Sequence, residues 1–170
     1  MKKSQTMNIQ HRVTGEVFFV TDTVVDWIDV FTRPVYKHII LESLAYCQQQ
    51  KGLIIYAWVL MSNHLHAIVG SNGQEGVSDI WRDFKKYTSK KIIEAIKTEI
   101  SENRSEWMLN RFEYAAKNDK KIKNYRFWQE GNNASRRIAN AVGRNDLTLA
   151  YANRLTNEHF GSFPTLGIIN

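Results

Sequence analysis

The residues best suited to chemistry lie together in Trp58-Val59-Leu60-Met61-Ser62-Asn63-His64-Leu65-His66-Ala67-Ile68-Val69. Side chains two apart on a strand share a face, so His64 and His66 project side by side while Leu65 turns the other way. Two imidazoles whose separation is fixed by one rigid backbone supply two ligands of a small metal site. A pair of hydrogen-bonded sheet histidines satisfies the same pattern, and spacing alone leaves both readings open. His11, His38 and His159 have no partner at ligand spacing. The single cysteine, Cys47, excludes an intrachain disulfide and a cysteine-based metal site. No Gly-x-x-x-x-Gly-Lys, Gly-x-Ser-x-Gly or Cys-x-x-Cys pattern occurs, so phosphate-loop, hydrolase-elbow and dithiol chemistries have no support.

Two histidines on a strand need a frame to hold them. The run from Glu16 to Val25 is rich in aromatic and β-branched residues and predicts a strand. Arg33-Pro34 opens a segment to about Lys51 with Val35, Ile39, Ile40, Leu44 and Tyr46-Cys47 at helical spacing. Proline suits a first turn there, and Gly52 a stop. Leu53 to Met61 and His64 to Gly70 predict two strands joined by a tight turn at Ser62-Asn63. After a loop from Ser71 to Gly76, the chain to about Ile100 is helical, with Ile80, Phe84, Tyr87, Lys91 and Ile92 marking one side. Glu106 to Ala116 predicts a short helix, and Tyr125 to Gln129 a short fourth strand. Farther on, Leu147 to Leu155 reads as a helix carrying Tyr151, and Gly161 to Asn170 as loose chain. This order predicts an α+β fold: a ferredoxin-like (RRM-like) antiparallel sheet with helices packed on one face. The first and third strands are then central neighbours.

At 170 residues, 43% of them apolar, the chain has one domain's length and enough material for a core. Its longest apolar run, Leu53 to Met61, is less than half of the roughly 20 residues that cross a bilayer. The polar start, Met1 to Thr6, lacks the apolar core of a signal peptide, so a cytoplasmic protein without membrane attachment is expected. The net charge of +6 is not evenly spread. Between Trp81 and Trp128 stand thirteen Lys and Arg against seven Asp and Glu, while the rest of the chain has ten of each. Lys85, Lys86, Tyr87, Lys90 and Lys91 concentrate this charge around an aromatic ring. Localised positive charge with interleaved aromatics suits a nucleic acid with unpaired bases, though a solvated helix face carries the same residues.

The histidine strand and its lead-in resemble the histidine-hydrophobic-histidine (HUH) motif of the single-tyrosine HUH transposases, a group that includes the REP-associated tyrosine transposases. The run from Tyr56 to Asn63 is similar to the family approach W-V-x-M-x-N-H-x-H. Phe18-Phe19-Val20-Thr21, Phe84-Lys85-Lys86-Tyr87-Thr88-Ser89 and Phe127-Trp128-Gln129 follow in family order. The resemblance implies a polar arm at 1–14, a transposase-like domain at 15–130 and a divergent C-terminal segment at 131–170. It also implies that His64 and His66, with a third polar side chain, hold one divalent ion, Mg²⁺ or Mn²⁺. A tyrosine hydroxyl would then attack a single-stranded or hairpin DNA phosphate, leaving a 5′-phosphotyrosine and a free 3′-OH. Both a monomer and an active-site-sharing homodimer are compatible with this reading.

The family places that tyrosine in a pattern like Y-I-x-x-N-P-V, which is absent here, since the two prolines are Pro34 and Pro164. By position, Tyr151 is the candidate nucleophile, although one turn beyond it stands Leu155 where a polar ligand is expected. Tyr87, on the basic helix, is a rival. Asp22 departs from the family's first strand and is a candidate third ligand if it faces the histidines. The alternative to an active transposase is a decayed, non-catalytic relative that still binds hairpin or single-stranded DNA.

Overall fold

A computed structural model describes residues 17–72, 75–117, 122, 124–129, 136–139 and 165–167 of the chain. In order, the elements are β1 (Val17–Thr23), α1 (Pro34–Lys51), β2 (Leu53–Leu60), β3 (His64–Ser71), α2 (Val77–Thr98), α3 (Ser105–Ala116), β4 (Arg136–Ala139) and β5 (Thr165–Gly167). Short 3₁₀ turns at Val25–Trp27 and Val30–Thr32 link β1 to α1. The strands form one antiparallel sheet in the order β4-β1-β3-β2-β5. The expected α+β, ferredoxin-like arrangement is present, with β1 and β3 adjacent at its centre. No helix among the described residues is long and apolar enough to cross a membrane.

Local sequence accounts for the boundaries. Pro34 begins α1, and Gly52 ends it in the left-handed region at φ 72°, its N–H bonding the Cys47 carbonyl. From there β2 and β3 form a hairpin closed by the Met61 N–H on the His64 carbonyl at 2.8 Å. The sheet has two unlike faces. Val20, Trp58, Leu60, Leu65, Ala67 and Val69 pack with Ile40 and Leu44 of α1 and Ile80, Phe84 and Ile92 of α2. The opposite face carries a smaller apolar group of Val17, Ala57 and Ile68, flanked by Phe19 and Tyr56.

The register of β1 against β3 decides which polar residues meet. Thr21 pairs with His66 and Thr23 with His64, whereas Asp22 pairs with Leu65. Directly paired residues share a face, so Asp22 points with Leu65 into the helix side, away from the histidines. There it is fully buried, accepting a hydrogen bond from Trp81 Nε1 and pairing with Lys85 Nζ at 2.8 Å. Burial pushes the Asp22 carboxyl pKa up, and Lys85 and Trp81 counter it by favouring the charged form. One expectation is thereby corrected: Asp22 is not a third ligand beside the histidines. Lys85, expected at the DNA, forms an internal ion pair with Asp22.

Three further expectations shift. The buried line of α2 runs through Val77, Ile80, Trp81, Phe84, Thr88, Ile92 and Ile96, while Tyr87 is 54% exposed. Thr88 enters the core because its hydroxyl donates to the Phe84 carbonyl at 2.8 Å and accepts from Trp128 Nε1 at 3.1 Å. Tyr125 to Gln129 contributes one bridge, Val24 to Trp128, at the end of β1 rather than a fourth strand. On the outer side of β1 stands β4, and Thr165–Gly167 pairs with β2 where loose chain was expected. Tyr151 and the helix read around it lie outside the described residues.

Two stability measurements follow from this packing. Asp22→Ala strands Lys85 and Trp81 Nε1 and is expected to cost about 3 kcal/mol in chemical denaturation. The paired change Asp22→Leu with Lys85→Met recovers most of that loss. Tyr36 behaves oppositely: it is fully buried and, among the described residues, its hydroxyl has no hydrogen-bond partner. Tyr36→Phe is therefore expected to leave stability unchanged or raise it by about 1 kcal/mol.

Candidate active site

His64 and His66 stand on the sheet face opposite α1 and α2, both half-buried, with ring centroids 4.7 Å apart and planes at 79°. Strand alternation brings them together, and the residues around them determine how each ring is presented. The key neighbour is Asn63, in the hairpin turn. Its Nδ2 donates to the Trp27 carbonyl at 3.0 Å and to Asp29 Oδ1 at 3.1 Å. Two acceptors on the amide nitrogen turn Asn63 Oδ1 toward His64, which it meets at Nδ1, 2.6 Å away. An amide oxygen can only accept, so His64 Nδ1 donates, and in the neutral ring Nε2 holds the lone pair. Ser62 fixes the other partner of this network, its hydroxyl donating to Asp29 Oδ1 at 2.6 Å.

His66 is held differently. Thr21 Oγ1 lies 2.8 Å from its Nδ1, and the Phe19 ring stacks on the imidazole at a centroid distance of 5.5 Å and 17°. The hydroxyl takes either hydrogen-bonding role, so it orients the ring without dictating the tautomer. Both imidazoles thus have the Nδ1 edge occupied by a neighbouring oxygen, the arrangement by which outer partners orient metal-binding histidines. Among the described residues no group of three His, Cys, Asp or Glu side chains is arranged for a metal ion. The two imidazoles alone would make a donor pair to which a divalent cation would have to add oxygen ligands.

The turn after β1 forms one wall of the site. Asp26 and Trp27 both adopt left-handed backbone, at φ 54° and 56°, where side chains other than glycine's cost roughly 1–2 kcal/mol. Arg111 of α3 holds Asp26 through Nε to Oδ2 at 2.8 Å. Trp27 is 59% exposed and meets the His64 ring edge-on at 5.8 Å.

Among the described candidate residues, the structure brings His64 and His66 together on one sheet face and leaves the lysines and Tyr87 on α2. Lys86, Tyr87, Lys90 and Lys91 are exposed on α2, across the sheet from the histidines. Lys91 and Lys90 reach Glu94 at 3.3 Å and 3.9 Å along the same helix. Thr21, Phe19 and Trp27 were not expected at the site. Thr21 was within reach of a register argument, since aligning β1 with β3 pairs it with His66. Trp27 gave no signal, because its place depends on two residues in an unusual backbone conformation.

The family model described as "Transposase IS200 like" matches residues 27–126, more than half of the chain and including the histidine strand. Among solved structures, the chain is similar to a REP-associated tyrosine transposase bound to a REP hairpin. The TM-score is 0.53 at 15% identity, covering 97% of this chain and 82% of that one. At that identity the likeness is one of fold. No curated protein matches the chain. The sheet, its histidine pair and the family match have one common reading: this chain belongs to the IS200-like transposase family.

Proposed function

We propose that this protein cleaves and rejoins single-stranded or hairpin DNA through a 5′-phosphotyrosine link, with Mg²⁺ or Mn²⁺ held by His64 and His66. The observation that carries the reading is the Asn63 network, which presents His64 with its lone pair on Nε2. When bound, the ion polarises the scissile phosphate and so lowers the barrier to attack. In the proposed step, the Tyr151 hydroxyl oxygen forms a bond to phosphorus as its proton leaves. The bond from phosphorus to the 3′ oxygen breaks, and that oxygen takes up a proton. The phosphate ester count is unchanged, so rejoining needs no nucleotide cofactor. A tyrosine pKa near 10 makes the free hydroxyl a poor nucleophile, which is why the phosphate must be activated.

Hairpin DNA as the substrate is supported by the fold shared with a transposase bound to a REP hairpin. Lys86, Lys90 and Lys91 are exposed, and together with Tyr87 they offer the DNA a basic surface across the sheet from the histidines. In this reading Lys85 is excluded from that surface by Asp22.

Covalent trapping tests the chemistry. Wild type, Tyr151→Phe, Tyr87→Phe and the double variant His64→Ala/His66→Ala are incubated with flanking hairpin oligonucleotides and Mn²⁺, then resolved on a denaturing gel. A shifted band is expected for wild type and Tyr87→Phe and absent from the other two. No adduct from wild type, with tight salt-sensitive binding retained, would establish a non-catalytic relative. The metal site has its own check: Asn63→Ala is expected to weaken Mn²⁺ binding about tenfold by calorimetry, while the fold persists by circular dichroism. Replacing Lys86, Lys90 and Lys91 with alanine should flatten the log–log salt dependence of hairpin binding by roughly 0.7–0.9 in slope for each phosphate no longer neutralised.

A further inference from the structure

We infer that Trp27 is a stacking platform for an unpaired base of the DNA strand beside the histidine pair. The inference rests on the DNA-processing reading above and adds a residue that contacts substrate. Of the five tryptophans in the chain, Trp58, Trp81 and Trp128 are buried, whereas Trp27 and Trp107 are more than half exposed. Trp107 lies on α3. Trp27 stands against His64, and its ring is held there by backbone that would be relaxed with glycine.

Every backbone restraint at this turn points the same way. The Trp27 N–H bonds the Val24 carbonyl at 3.0 Å, and its carbonyl accepts from Asn63 Nδ2 at 3.0 Å. Asp26, the preceding left-handed residue, is fixed by Arg111. The same asparagine therefore orients His64 and anchors Trp27, so the imidazole and the indole are set relative to each other by one side chain. A large exposed indole costs solubility and gains nothing from the core here. What it offers is a flat apolar face next to the place where a phosphate would sit. A base attached to that phosphate can stack on it, and stacking tolerates any base because each has a π-face. The position thus holds the strand beside the histidines without reading its sequence.

The experiment uses full-length protein in EDTA, so that binding is measured apart from cleavage. The probes are a short oligothymidylate and an abasic strand of the same length, which keeps the phosphates and removes the bases. In a Trp107→Phe background, Trp27 is the exposed fluorophore. Oligothymidylate should quench its emission and the abasic strand should not. Trp27→Ala and Trp27→Gly should bind oligothymidylate about tenfold more weakly, Trp27→Phe should recover most of the loss, and none should alter abasic binding. Trp27→Gly should also keep or raise the thermal unfolding midpoint, which separates a stacking defect from a folding defect. Equal binding of oligothymidylate by wild type and Trp27→Ala, without quenching, overturns the platform and leaves the DNA-processing reading standing if covalent adducts still form. Failure of wild type to bind either strand, with no adduct, overturns both.

Discussion

The pairing of β1 with β3 is the constraint on which the rest depends. Because strand side chains alternate, one register assigns Thr21 and Thr23 to the histidine face and Asp22 to the helix face. A slip by one residue would put a carboxylate among the imidazoles and a threonine into the core. Burial on the helix side resists that slip. Asp22 is tied to α2 by Lys85 and Trp81, and its neighbours Val20 and Val24 are fully buried. The ion pair contributes register more convincingly than net stability, since desolvating both charges offsets much of their attraction.

From that register the site is assembled by short polar links. Asn63 is the junction, joining the hairpin turn, the 3₁₀ turns after β1 and the His64 ring. The backbone there is strained, and the strain is held by contacts from three separate stretches of chain: the hairpin, the end of β1 and α3. The arrangement places hydrogen-bonded and aromatic groups around the half-buried histidine pair. It suits a substrate that arrives as a long flexible strand.

Much of this was legible in the sequence. The alternation of Leu65 against His64 and His66, the proline and glycine ends of α1 and the order of elements from β1 to α3 all appear in the structure as read. What was not legible depended on contacts across the fold. Nothing local shows whether Asp22 faces the histidines, because strand parity is fixed only once β1 is aligned on β3. Tyr87 and Thr88 exchanged roles for a similar reason: hydrophobicity favours burying the tyrosine, but the Trp128 N–H needs an acceptor and Thr88 supplies it. Arg136–Ala139 and Thr165–Gly167 lack long β-branched runs, so their pairing is dictated by the open edges of β1 and β2 rather than by their own propensity.

Those two short strands have a consequence for the order in which the molecule is made. The central three strands and both main helices are complete by residue 98, yet the outer strands of the sheet come from residues 136–139 and 165–167. During synthesis the β1 and β2 edges therefore wait for these partners until Arg136–Ala139 and Thr165–Gly167 have been translated. Unpaired edges recruit other strands, so the nascent chain is most vulnerable to association in the interval before these two strands emerge.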